Sequence, residues 1–166
     1  MAVDPVQLRQ VMRGWATGVT VVTTRSAHGA HGVHGITVNS FTSLSLDPPL
    51  CLVCIQHDAR AHREIPAAGG FAVNILAADQ AVISDRFAGR TKLDDPFAGL
   101  DLDQAPSGAP VFRGALGYLD CTLHAELPGG DHTIYIGRVL HAAARGDGEP
   151  LLFYGGRYRA LGNPAP

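Results

Sequence analysis

The chain has 166 residues, 46% of them hydrophobic and 17% charged, with a formal net charge of −2. That balance excludes a disordered chain, and the lack of any basic block argues against nucleic acid as the main partner. Of thirteen basic residues Lys92 is the one lysine; such usage is what coding-sequence base composition yields, yet Arg also pairs phosphate in a bidentate way, so an anionic nucleotide ligand stays open.

Asp4-Pro5-Val6-Gln7 reads as a helix start, with Asp4 as cap, Pro5 at the first helical position and Gln7 where a capping-box partner reaches back. Leu8, Val11, Met12 and Trp15 recur at helical spacing, which predicts one face docked on the body and an end by Gly18. Val19 to Thr24 is rich in β-branched residues and reads as a strand. Glycines 29, 32 and 35 mark a turn, and Ile36 to Phe41 is the returning strand. Asp47-Pro48-Pro49 breaks the chain before a strand at 50–56. Ala59 to Ala67 is a short helix, Phe71 to Leu76 a strand, and Asp79 to Phe87 another helix. Residues 89–110, rich in Gly, Pro and Asp, form an irregular excursion. Three strands close the chain, at about 114–127, 132–144 and 150–154, the first two joined through a hairpin at Pro128-Gly129-Gly130.

Strand-rich order with short turns predicts a mainly β fold, an antiparallel sheet closed or sandwiched on itself. Without alternating strands and crossover helices, and without GxGxxG or GxxxxGK[ST], a Rossmann fold or P-loop is excluded. The length suits one domain, 1–166. No run approaches the roughly 18 apolar residues of a membrane span, and the N-terminus has no signal-peptide pattern, so a cytoplasmic location is expected. Cys51 and Cys54, three apart on one strand, point to opposite faces and cannot share a metal; with Cys121 they read as core residues of a reduced protein.

Four places can hold chemistry. Thr37-Val38-Asn39-Ser40 puts hydroxyl and amide groups on a strand, which by spacing alone reads as a polar outer face. Ala59-Arg60-Ala61-His62 opens a helix, whose free N–H groups suit an anion. Gly130-Asp131-His132 places a titratable ring at a hairpin tip, followed by a strand with Thr133, Tyr135 and Gly137 on one face and Ile134, Ile136 and Arg138 on the other. Gly155-Gly156-Arg157-Tyr158 reads equally as a capped last strand or a phosphate contact. His28, His31 and His34 stand in a glycine-rich loop without the second shell that a metal needs, so no metal is expected.

Taken in order, five segments resemble the short-chain NAD(P)H:flavin oxidoreductases, the flavin reductase components of two-component monooxygenases, from about residue 8 to 161. They are Gly18-Val19-Thr20-Val21-Val22-Thr23-Thr24, Gly35 to Pro49, Gly70-Phe71-Ala72-Val73-Asn74-Ile75-Leu76, Arg86-Phe87-Ala88 and Gly156-Arg157-Tyr158, and they stand beside Gly130-Asp131-His132, which is similar to the family's GDH motif. The resemblance implies an FMN-binding split β-barrel of Greek-key, antiparallel type with flanking helices. It implies hydride transfer from the nicotinamide C4 of NADH or NADPH to N5 of FMN or FAD, and delivery of reduced flavin to a partner monooxygenase. Flavin contacts are implied at His34, Thr37, Val38, Asn39 and Ser40, and a second cofactor segment at Ser84, Arg86 and Phe87. Arg60, Ala61 and His62 are implied at the flavin phosphate, although Ala59 and Ala61 stand where similar proteins carry a Ser-x-Thr pair. Gly130 and Asp131 are implied at NAD(P)H, with His132 as the catalytic residue and Arg157 and Tyr158 near the exit. A homodimer follows from the same resemblance. The competing readings are a flavin-binding electron carrier and a non-enzymatic flavin- or haem-binding protein on the same barrel.

Overall fold

A computed structural model describes residues 3–28 and 30–162; Gly29, one of the turn glycines, and the ends of the 1–166 span lie outside. In chain order the elements are α1 (Pro5–Met12), β1 (Thr17–Gly18), β2 (Thr20–Arg25), β3 (Val33–Val38), β4 (Thr42–Leu46), β5 (Pro49–Gln56), α2 (Ala61–Ala68), β6 (Gly70–Ile75), α3 (Ala81–Phe87), β7 (Leu102–Gln104), β8 (Pro110–Phe112), β9 (Gly117–Gly129), β10 (His132–Ala144), β11 (Leu152–Tyr154) and β12 (Arg157–Arg159). The mainly β expectation holds.

Seven strands form one antiparallel sheet in the order β3-β2-β6-β9-β10-β5-β4. Its two edges, β3 and β4, are joined by residues 39–41 alone. Laid flat at about 4.8 Å per strand, the edges of such a sheet stand roughly 29 Å apart. Four residue steps reach at most about 14 Å. The sheet must therefore curl until its edges nearly meet, which is how a split barrel arises from a short connection. Inward positions alternate as the pleat requires: Cys51, Val53 and Ile55 of β5 and Tyr135 of β10 are buried with Phe71, Val73 and Ile65. A second core lies between β2 and α3 around Val21, Leu76, Phe87, Phe97 and Phe112.

The strand expected from Ile36 to Phe41 instead starts at Val33 and stops at Val38; the chain then bends into β4, which sequence reading passed over because its Ser and Leu residues lack β-branching. The excursion at 89–110 contains β7 and the first residue of β8, and β12 was likewise not foreseen. The largest correction concerns α1. Asp4 caps it as expected, its side chain accepting from the Val6 N–H, but the helix ends at Met12 and buries none of its residues. Leu8, Val11, Met12 and Trp15 are all exposed. Periodicity defines which residues share a face, not what stands opposite it. Cys51 and Cys54 point apart as predicted, and Cys51 meets Cys121 in the core at 3.6 Å between sulfurs.

In α2 Pro66 has no N–H to give the His62 carbonyl four residues earlier. The buried Tyr135 hydroxyl donates to that carbonyl instead, at 2.8 Å. This bond ties the head of α2 to β10. Tyr135→Phe should leave the carbonyl unpaired and cost about 1–3 kcal/mol, read as a drop in thermal midpoint with the circular dichroism spectrum intact; an unchanged midpoint would show that water replaces the phenol.

Candidate flavin and nicotinamide site

The connection between β3 and β4 is held on both sides. Ser40 Oγ accepts from Cys54 N–H and donates to Cys54 C=O, both at 3.0 Å, so this hydroxyl completes the gap between the sheet edges. Thr37 Oγ1 donates to the Ser84 carbonyl at 2.7 Å, clamping β3 to α3. Buried Ser84 in turn lies 2.9 Å from the Tyr158 hydroxyl, which also reaches Asp85 Oδ1 at 2.7 Å. Burial pushes the Tyr158 phenol up. Arg90 pairs with Asp85 at 3.0 Å and covers the rings of Phe153 and Tyr158.

Three adjoining hollows share Asn39. The first, about 190 Å3, lies among Thr37, Val38, Ser84, Arg90, Phe153 and Tyr158. The second, about 520 Å3, is lined by Trp15, Thr17, Ser40, Phe41 and Thr42. The third, about 630 Å3, opens between α1 and the β11–β12 turn. Thr17 Oγ1 is buried on the second hollow and is the one buried side-chain polar atom without a partner among the described residues. A buried hydroxyl without a partner, on a residue that lines a hollow, marks a place where a bound polar group or water completes the hydrogen bonding. A flavin fits on this observation: its ring has polar and apolar edges, and the trough offers Thr17 and Asn39 beside Phe41, Val38 and Phe153.

The hairpin tip stands at the other end of β5 and β10. Gly130 has φ of 78°, the positive value that the first position of a two-residue type II′ turn demands. Asp131 holds the far side: its C=O accepts from His57 N–H at 3.1 Å. His132 Nδ1–H donates to Asp131 Oδ1 at 2.7 Å, which leaves Nε2 free. That hydrogen bond, above all, holds the Asp131 carboxylate below its usual range. Register relates the two parts. Cys54, gripped by Ser40, faces Ile134, and His132 faces Gln56, so His132 lies two residues, about 7 Å, further along the same outer face of the sheet. His132 lines none of the three hollows.

The remaining predicted residues are spread around these parts. Ala61 is only 1% exposed and packs in the core under α2. Arg60, at the N-cap of α2, pairs with Glu64 at 3.2 Å. His62 Nε2 meets Thr133 Oγ1 at 2.9 Å. Arg86 donates to the Ala98 carbonyl and so fixes the loop after α3, while Phe87 is buried against Phe97 and Phe112. Arg157 is exposed on β12. Among the described residues no three His, Cys, Asp or Glu side chains gather at metal-binding distance; His31 instead pairs with Asp95 at 3.1 Å. Thr17, Arg90 and Phe153, which line the trough, and Asp85, which holds Tyr158 and Arg90, escaped sequence reading, because each reaches the site only through tertiary placement.

His34, on β3, faces Arg60 and Glu64; burial, then the Arg60 charge, hold its imidazole below the usual value, with Glu64 opposing. The unfolded chain thus takes up this proton first on acidification. The stability it contributes is full above a pH of about 6.5 and is lost as pH falls through the folded-state value. The thermal midpoint should therefore drop below pH 6.5 less steeply in His34→Gln than in the unaltered chain; parallel curves would assign the acid sensitivity to other groups.

Residues 12–162 match the family model described as "Flavin reductase like domain". The chain is 43% identical over 159 residues to an NADH-dependent FAD reductase from Streptomyces globisporus, covering 94% of this chain and 85% of that one. It is 39% identical over 160 residues to the flavin-dependent monooxygenase reductase subunit HsaB of Rhodococcus jostii, covering 96% and 80%. Its fold is similar to that of the Streptomyces globisporus NADH:FAD oxidoreductase SgcE6 in complex with NAD and FAD fragments, with a TM-score of 0.89 at 41% identity, covering 100% and 99% of the two chains.

Proposed function

The chain belongs to the flavin reductase-like family, and from that premise we propose that it is an NADH:flavin oxidoreductase that supplies reduced flavin to a flavin-dependent monooxygenase. The single observation that supports this most is the trough around Asn39, with Thr17, whose buried hydroxyl has no partner, on its lining and His132 further along the adjoining sheet face. When bound, the flavin supplies the hydride acceptor and the nicotinamide the donor, so the protein needs no nucleophile.

What this chain supplies is placement. Thr37, Val38, Asn39 and Ser40 form the bed for the flavin ring, made rigid by the bonds to Ser84 and Cys54. Ser84 and Tyr158 close one side of it. His132, its ring oriented by Asp131, presents Nε2 to the nicotinamide carboxamide, and Gly130 sets the turn that carries both. The backbone N–H groups at the head of α2 and Arg60 offer an anion site near His34 and His62. Bringing donor and acceptor into contact in a fixed orientation is itself most of the catalysis.

The protein is further read as one domain acting as a homodimer in the cytoplasm, where NADH is available. Large apolar side chains left exposed on three strands, Leu44 and Leu46 on β4, Leu127 on β9 and Leu140 on β10, are what support the dimer. Among the described residues no helix is long and apolar enough to cross a membrane.

The test is anaerobic oxidation of NADH and NADPH with FMN, FAD or riboflavin. Turnover should occur only with a flavin present and should accumulate its reduced form, faster with NADH. A folded sample that oxidises neither nicotinamide with any flavin would remove the enzymatic reading.

A further inference from the structure

The flavin bed carries one charge. Among the described residues that line the first two hollows, Arg90 alone is ionised; the others bear hydroxyl, amide, indole, phenol or hydrocarbon side chains. Its place is set from the backbone upward. α3 ends at Phe87 with Ala88 as cap, and Gly89 follows at φ of 69°. The Arg90 N–H then donates to the Asp85 carbonyl at 3.1 Å and the Gly89 N–H to the Arg86 carbonyl at 3.4 Å, the two bonds of a Schellman end. The chain is thereby turned back so that Arg90 stands beside Asp85. Its side chain is held from two directions. Nη1 pairs with Asp85 Oδ1 at 3.0 Å, and the guanidinium carbon lies 5.6 Å from the ring centre of Tyr158 and 5.9 Å from that of Phe153. The same Asp85 oxygen accepts from the Tyr158 hydroxyl at 2.7 Å. Asp85 lines neither hollow. The positive member of the ion pair therefore stands at the bed and the negative member behind it.

The reaction gives such a charge a task. Hydride transfer breaks the nicotinamide C4–H bond and forms an N5–H bond on the flavin. NADH becomes NAD+, and the flavin ring, neutral before, is left with one negative charge. We propose that Arg90 stabilises this charge, and that Asp85 acts through Arg90 as a positioning residue that moderates it. The proposal rests on the flavin reductase reading for the position of the ring. A cation fixed before the charge develops needs no reorganisation as it forms, so it favours the reduced state and the approach to it. Exposure and the counter-charge limit the effect. The Arg90 side chain is 52% exposed and that of Asp85 36%, and water screens groups in such positions. A moderate preference suits a product that must leave the protein.

Redox affinity is the readout that a merely structural contact would not move. The ratio of the dissociation constants for oxidised and reduced flavin fixes the potential of the bound flavin, and a 10-fold change in that ratio is about 30 mV for a two-electron couple. The unaltered chain and its variants are titrated anaerobically with FMN and with FMN reduced by dithionite, and the bound potential is measured by equilibration with a reference dye. Arg90→Gln should weaken reduced FMN about 10-fold while oxidised FMN moves less than about two-fold, so that the potential falls by about 30 mV. Asp85→Asn keeps an acceptor for Tyr158 and removes the counter-charge. It should raise the potential and slow the release of reduced FMN in stopped flow. Lys92→Gln removes an exposed positive charge two residues along, outside the hollows, and should leave the potential in place. Equal weakening of both redox forms by Arg90→Gln would make Arg90 a structural contact and overturn the proposal. So would a shift of the same sign in Asp85→Asn, or an equal shift in Lys92→Gln, which would assign the potential to net charge. Failure of the reductase reading is separately visible, because dithionite takes the place of NADH in these titrations. Potentials that shift as expected without any NADH oxidation would remove that reading alone, and NADH oxidation with unshifted potentials would remove the role of Arg90 alone.

Discussion

Replacing His132 with alanine should lower kcat/KM for NADH by about 5- to 150-fold, the equivalent of one positioning contact of about 1–3 kcal/mol, while flavin affinity stays unchanged. The geometry gives the reason. The imidazole is 39% exposed at the head of β10 and is oriented through Nδ1 by Asp131 Oδ1 at 2.7 Å, so Nε2 is the nitrogen available to a ligand. It stands on the outer face of the sheet beyond Ile134, not among the lining of the Asn39 trough. Its loss should therefore act on the nicotinamide. Asp131→Ala should do less, because the turn is set by Gly130 and by the Asp131 carbonyl, which the substitution retains. Stopped-flow reduction of bound flavin at varied NADH separates the cases. If flavin affinity falls and nicotinamide kinetics hold, His132 is a flavin ligand. If neither moves, the hairpin is structural and the nicotinamide site must be sought near Arg157 and Tyr158.

Much of this arrangement was legible in the residues, and the reasons for what was legible and what was not are physical. The hairpin tip was readable because glycine at Gly130 and strict alternation from Thr133 to Arg138 are local signals. The flavin bed was readable only as a polar strand until the order of segments was considered, since Thr37 and Ser40 gain meaning from partners 47 and 14 residues away. Phe87 and Ala61 illustrate the opposite case. Both lie in segments that resemble cofactor contacts, yet one is packed against Phe97 and Phe112 and the other under α2. A motif locates a segment near the site without stating which of its side chains face inward. The α1 stripe is the clearest failure. Leu8, Val11 and Met12 lie on α1 and Trp15 beyond its end, and all four are exposed. The orphaned Thr17 hydroxyl had no sequence signal at all, because it is defined by what is missing around it.

The largest stability effect should come from Asn74, which lies within one of the family-like segments but outside the trough. It is 0% exposed on β6. Its amide donates to the Val21 carbonyl and to Thr23 Oγ1, both at 3.1 Å, and its Oδ1 accepts from Phe112 N–H at 3.0 Å. Thr23 Oγ1 passes the chain on, donating to the Pro110 carbonyl at 2.6 Å. Asn74 and Thr23 together therefore satisfy both ends of β8, the strand that would otherwise bring an unpaired N–H and C=O into the core. Asn74→Ala removes three hydrogen bonds and leaves the Phe112 N–H buried without an acceptor. At about 1–3 kcal/mol for each unsatisfied group, the loss should be about 3–5 kcal/mol. For a chain of this size, that lowers the thermal midpoint by roughly 6–20 °C. Asn74→Leu keeps the branched outline in a larger side chain and removes the same bonds, so it should fall at least comparably; recovery in the leucine variant would show that packing, not polar satisfaction, sets the cost. Hydrogen exchange at the Phe112 amide should accelerate in both variants ahead of the amides of β5 and β10, because β8 is held to the barrel by this network while those strands pair along seven residues. Uniform acceleration across the sheet would mean that Asn74 supports the whole barrel, and that the β7–β8 hairpin has no separate hold upon it.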